Sequence, residues 1–132
     1  MSYEGFKRAE MEGWDARAGA YNDFTGQVTT RAIPTLLAMA ETAPGKRVLD
    51  LCCGTGRAAG AAQALGARAE GIDVSPAMVD AARHAFPNAD FDVGDAESIP
   101  RKDDSFDAVI CSFGLMHVGS TEALFNEMAR VL

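Results

Sequence analysis

The nine residues Val48-Leu49-Asp50-Leu51-Cys52-Cys53-Gly54-Thr55-Gly56 constrain this chain most. The Val and Leu run reads as a parallel strand covered on both faces, and it passes into two glycines and then an alanine-rich helix from near Arg57. Glycine lets the backbone turn tightly and approach a ligand closely, while the first turn of the next helix presents N–H groups without intrahelical partners. Such a junction is where an α/β protein holds a nucleotide-like ligand. Gly-x-Gly alone also fits turns that bind nothing, so its spacing to later carboxylates decides the matter.

Apolar residues Val28, Ala32, Ile33, Leu36, Leu37 and Ala40 recur at helical spacing before that strand, with Pro34 either kinking the helix or starting its second part. Pro44-Gly45 turns into the strand, and the helix from Arg57 to Leu65 closes at Gly66. A second strand, Ala69 to Ile72, ends in Asp73; Ser75-Pro76 then caps a helix carrying Met78, Val79, Ala82 and Phe86 on one face. A short third strand, Asp90 to Val93, ends at Gly94-Asp95, and Phe106 to Ser112 is the clearest strand of all. Ser120 or Thr121 caps a last helix with Leu124, Phe125, Met128, Val131 and Leu132 as its inward stripe. Strands alternating with helices imply crossovers and a parallel sheet, hence an α/β fold. Residues 1–27, with Trp14, Tyr21 and Phe24 among charges and glycines, read as a short helical cap on a core of 28–132.

At 132 residues the chain fits one domain. A net charge of −7 opposes a nucleic-acid partner, because such binding draws most of its affinity from Lys and Arg. No apolar run is long enough to span a membrane, and Met1-Ser2-Tyr3-Glu4 does not read as a secretory leader. Three cysteines, two of them adjacent, match neither a disulfide framework nor a metal site, which points to a reducing, cytoplasmic setting. Cys52 and Cys53 are either redox-active thiols at a helix N-terminus or small buried turn residues, and Cys111 is a packing residue.

Asp73 follows Gly56 by 17 positions, at the end of the second strand. A carboxylate there can accept both hydroxyls of a ribose; otherwise it caps the helix after Ser75. Asp95, at the end of the third strand, can accept from an adenine amino group while the Ala96 N–H donates to a ring nitrogen; otherwise it is a solvated turn residue.

Taken in order, VLDLCCGTG, GIDVSPAMVDAAR, VGDAESIP, DDSFDAVICSFGLMHV and EMARVL resemble the class I S-adenosylmethionine-dependent methyltransferases that act on small molecules, over about Gly45 to Leu132. The resemblance implies a Rossmann-like three-layer sandwich with a mostly parallel sheet, here about four strands in the order 3-2-1-4. It implies that the backbone of Cys52, Cys53, Gly54, Thr55 and Gly56 holds the methionine end of the cofactor, Asp73 its ribose, Asp95 and Ala96 its adenine, and Ser112 with Phe113 the sulfonium side. Asp50, Val74 and Met78 belong to the same implied site. Cys52 stands where the family has a glycine, a change of little weight if its backbone dihedrals are ordinary. Tyr21 either closes over the cofactor or packs. The reaction is in-line methyl transfer to a small-molecule acceptor, in which placement matters more than a base. His117 is the sole candidate base, with a pocket-lining or capping role as its alternative; His84 is expected in solvent.

The resemblance further implies strands that would follow Arg130-Val131-Leu132, so the C-terminal strands of the fold are expected to be missing from this sequence. An open Phe106–Ser112 edge invites aggregation, and the expectation is a fragment of a longer enzyme, or a homodimer whose second copy covers that edge. A cofactor-binding half without turnover is one alternative. A nicotinamide oxidoreductase is another, from Gly54-Thr55-Gly56 with Ala59, opposed by Asp50, Asp95 and the run after the fourth strand.

Overall fold

The computed structural model describes residues 2–132. Its sheet has four parallel strands in the order β3-β2-β1-β4: β1 (Arg47–Leu51), β2 (Arg68–Asp73), β3 (Asp90–Val93) and β4 (Ala108–Cys111). The central β1 is flanked on both sides, which explains why Val48, Leu49 and Leu51 are fully buried. Side chains alternate across the sheet. Val48 and Ile110 join a cluster with Ala58, Ala62, Val79 and Leu37 on one face, while Leu49 and Leu51 join Ile72, Ile99, Leu124 and Val131 on the other. The first layer is therefore α3 (Ile33–Met39), α4 (Arg57–Ala64) and α5 (Pro76–Ala85), and the opposite layer is α6 (Thr121–Val131). This is the expected α/β sandwich.

Register brings the functional ends together. Leu51 pairs with both Ile72 and Cys111, and Asp73 pairs with Val93, so the residues that follow all four strands leave the same edge of the sheet. Gly56 permits close packing there: its φ is +83°, and a Cβ would stand 2.7 Å from the Phe91 ring and 2.8 Å from Ala82.

Several expected boundaries differ. The cap is no short helix, since α1 runs 19 residues from Tyr3 to Tyr21, with Ser2 accepting from the Gly5 N–H. The helix read over 28–40 is divided into α2 (Thr25–Thr29), a 3-10 turn Thr30–Ala32 and α3, with Pro34 in the first turn of α3. Proline starts the second part rather than kinking one continuous helix. A cap–core boundary at residue 27 thus falls inside α2. β4 is shorter than Phe106–Ser112 because the N–H groups of Ser105 and Phe106 both donate to the Val131 carbonyl of α6 instead of to a strand. Ser120, not Thr121, caps α6, accepting from the Ala123 N–H at 3.1 Å. Leu124 and Val131 are buried and Met128 packs beside them, but Phe125 and Leu132 are 53% and 50% exposed and do not belong to the inward stripe. Among the described residues, no helix is long and apolar enough to cross a membrane.

Candidate functional site

The strand ends and the inner side of α1 enclose a cavity of about 280 Å³. Each strand contributes to it: Cys52 and Gly54 after β1, Asp73 at the end of β2 with Val74 and Met78 after it, Asp95 and Ala96 after β3, and Ser112 and Phe113 after β4. Tyr21 closes the wall from the end of α1, its hydroxyl 3.2 Å from Thr29 Oγ1.

Asp73 braces the β1 turn. Its Oδ2 accepts the Gly54 N–H at 2.8 Å and its Oδ1 the Ser75 N–H at 2.9 Å, while the cap of α5 is Ser75 itself, accepting from Met78. Burial pushes the Asp73 carboxyl above its usual range, and the backbone N–H bonds act against that rise. Asp95 is not a free turn residue either: Oδ1 accepts the Glu97 N–H at 2.9 Å, and Oδ2 pairs with Lys7 of α1. Gly54, with φ +53°, borders the cavity at a point where a Cβ would meet no atom within 4 Å, leaving open space beside the two carboxylates.

Four of the residues assigned to the cofactor do not line this cavity. Asp50 shares the α4 face of β1 with Val48, is 2% exposed, and its Oδ2 accepts the Ala59 N–H at 3.2 Å. Gly56, the residue before α4, has no side chain to cap the helix, so Asp50 does so from the strand below. Its burial pushes the carboxyl well above the usual range. Asp50, Cys53 and Thr55 border a separate pocket of about 40 Å³, and Gly56 borders neither space. Thr55 donates instead to Asn22 Oδ1, tying the turn to the cap.

Cys52 and Cys53 do not have the depressed values of reactive thiols, while Cys111 is lowered by its hydrogen bond with Cys52. That hydrogen bond, and then burial, push the Cys52 thiol up, and burial pushes Cys53 up, opposite to the low values of nucleophilic cysteines. Cys111 packs against the core as expected, and it closes the space beside Gly114, where a Cβ would stand 2.7 Å from its Sγ and 2.9 Å from Cys52 Sγ. The Cys52 backbone is not ordinary: its φ is +54°, a left-handed conformation that a glycine would adopt without strain. Phe113, on the opposite wall, is also left-handed at +59°.

Helix α1 supplies a wall the sequence reading did not assign. Lys7, Glu10 and Trp14 line the cavity with Tyr21, at helical spacings of three, four and seven. Asp15 Oδ1 docks the helix by accepting from Ser75 Oγ and the Ala77 N–H, both at 2.9 Å. His117, in the 3-10 turn Leu115–His117, faces Glu10 and Trp14 and lines the same cavity, whereas His84 is exposed as expected.

Comparison with known proteins bears on the fold and the family. The chain is 38% identical over 119 residues to a demethylmenaquinone methyltransferase of Corynebacterium kroppenstedtii, an alignment covering 86% of this chain and 51% of that protein. The chain thus spans about half the length of that relative. Among solved structures, it superposes with a TM-score of 0.75 and 30% identity on a chain from the complex of the Haloferax volcanii Trm112 methyltransferase activator with a methyltransferase, covering 96% of this chain and 55% of that one. A SAM-dependent methyltransferase from Thermotoga maritima gives 0.71 and 25%, covering 90% and 55%. Residues 48–132, well over half of the sequence, match the family described as "Methyltransferase domain", and the chain belongs to that family.

Proposed function

We propose that the cavity binds S-adenosylmethionine and that the protein transfers its methyl group to a small-molecule acceptor. The observation that carries this reading is the convergence of Gly54, Asp73 and Asp95 on one space, bordered by Ser112 and Phe113. The donor set suits that cofactor. Each Asp73 oxygen keeps a lone pair beyond its N–H bond for a ribose hydroxyl, and Asp95 can accept an adenine amino group once Lys7 shifts from Oδ2. The turn at Cys52 to Gly54 offers backbone polar groups to the methionine end, Val74, Met78 and Ala96 supply apolar contact, and Tyr21 with α1 shields the space from water. Bound there, the cofactor supplies an activated methyl electrophile, so the task of the protein is alignment and exclusion of solvent.

A flat, apolar acceptor fits walls that include Trp14, Phe113 and Met116, and a hydroquinone is the acceptor class to assay first, given what the curated relative is named for. The outer edge of β4 is the surface a second copy would cover; a monodisperse monomer in sedimentation would count against that dimer. Thermal denaturation tests the cofactor assignment: S-adenosylhomocysteine at about 100 times its Kd stabilises by about 2.7 kcal/mol, whereas NADH leaves the transition unmoved. Stabilisation by NADH instead would favour the nicotinamide reading. Binding of S-adenosylhomocysteine without label transfer to any acceptor would favour a cofactor-binding half.

A further inference from the structure

Two titratable side chains on the cavity wall, left unused by the cofactor, are joined to each other. Glu10 Oε2 and His117 Nδ1 lie 2.7 Å apart, although 107 positions separate them in sequence. Trp14 Nε1 donates to the same carboxylate oxygen at 3.2 Å, and the Trp14 ring meets the imidazole edge-on with centroids 4.8 Å apart. The imidazole is therefore held by a hydrogen bond and by an aromatic face.

An ionised carboxylate only accepts hydrogen bonds, so the contact at Nδ1 requires the proton to sit there. A neutral imidazole then carries its lone pair on Nε2. That nitrogen has no hydrogen-bond partner among the described residues and is not among the unpartnered atoms sealed from solvent. His117 and Asp73 border the same cavity, so the ring shares its space with the carboxylate assigned to the ribose. An unpartnered nitrogen on a residue of the cavity wall, with the ring's other nitrogen bonded to a partly exposed carboxylate, is the arrangement a general base requires.

We propose that Glu10 is a positioning residue that holds His117 as general base, and that the acceptor accordingly enters with an aromatic hydroxyl, as a phenol or hydroquinone does. The inference rests on the methyl-transfer reading above. In the step, the acceptor O–H bond breaks and an N–H bond forms at Nε2. The released electron pair, on oxygen or on the ring carbon conjugated with it, forms the bond to the methyl carbon, and the pair of the methyl–sulfur bond leaves with sulfur. Where carbon is the acceptor it gives up its own proton to solvent, and the oxygen left anionic takes its proton back from Nε2; where oxygen is the acceptor, Nε2 returns its proton to solvent.

The test uses 4-nitrophenol, whose phenolate form alone absorbs in the visible, added to the full chain with saturating S-adenosylhomocysteine at a pH where the free probe is mostly phenol. The expected result is a saturable phenolate band that Glu10→Asp retains in part, Glu10→Gln reduces severalfold and His117→Gln abolishes. A merely structural latch between α1 and the loop would leave the band unchanged in any variant that still melts cooperatively. If His117→Gln does not fold, His117→Asn is read in its place. Ring 15N shifts of His117 provide an independent readout, with Nδ1 protonated and Nε2 bare in the wild type. Absence of the band in the wild type, an equal band in His117→Gln, or the opposite tautomer overturns the proposal. Failure of S-adenosylhomocysteine to bind would instead remove the cofactor reading, while the band measured without it still judges the pair.

Discussion

Asp73 at the end of β2 accepts the N–H of Gly54 at 2.8 Å, so the second strand holds the turn that leaves the first. Its other oxygen accepts the Ser75 N–H at 2.9 Å. An amide at position 73 can accept one of these bonds but meets the other N–H with a donor. Asp73→Asn therefore costs about 1–3 kcal/mol of stability by urea denaturation. The same change weakens S-adenosylhomocysteine binding by roughly 10- to 100-fold in calorimetry, as expected for a lost charged hydrogen bond.

Gly56 is irreplaceable for a different reason. With φ at +83° and the Phe91 ring 2.7 Å from where a Cβ would stand, Gly56→Ala combines backbone strain with overpacking. The expected loss is about 2–4 kcal/mol. Gly54→Ala, which has the same left-handed backbone but open space, costs about 1–2 kcal/mol and mainly reduces cofactor affinity. Paired chemical denaturation and binding titrations separate the two.

In the proposed site, Lys7 would compete with the cofactor for Asp95. The Lys7–Asp95 pair is partly exposed, with the two side chains at 24% and 33%, so breaking it requires about 0.2–1 kcal/mol. Removing that cost in Lys7→Met tightens S-adenosylhomocysteine binding by up to about fivefold at low salt. The gain shrinks as salt screens the pair in the parent protein, a trend calorimetry at two ionic strengths can read.

Asp107 makes one contribution of definite sign to the acid limb of the stability curve. Its hydrogen bonds from the Arg47 side chain and backbone lower its carboxyl from 3.8 to about 2. A depressed folded value means that the contribution is present above 3.8 and is lost as pH falls through about 2. Melting temperatures of wild type and Asp107→Asn therefore converge across that window and differ most above it. The pair is exposed, so the difference is small and declines with salt.

The strand ends were legible because their signals are local: an apolar run, a glycine turn, and an acid at the last position of β2 or just after β3. The contribution of α1 was not. The side that lines the cavity carries Lys7, Glu10, Trp14 and Tyr21, a mixed stripe that a search for apolar periodicity passes over, although the spacing itself is helical. Asp50 stood in the right motif but on the wrong face. Strand parity sends it toward α4 with Val48, and counting alternation from the buried Leu49 and Leu51 would have shown this. The left-handed backbone of Cys52 has no local marker, because a cysteine does not announce that conformation as glycine does. The late start of β4 and the exposure of Phe125 depend on tertiary contacts, above all the Val131 carbonyl that receives Ser105 and Phe106.

The central claim is that Asp73, Asp95 and the turn at Gly54 hold one adenosine. A crystal structure of the chain with S-adenosylhomocysteine tests it most directly. The account predicts ribose hydroxyls about 2.5–3.0 Å from the Asp73 carboxylate and the adenine amino group within hydrogen-bond reach of Asp95, displacing Lys7. A ligand bound elsewhere, with both carboxylates still occupied only by their present partners, would contradict it.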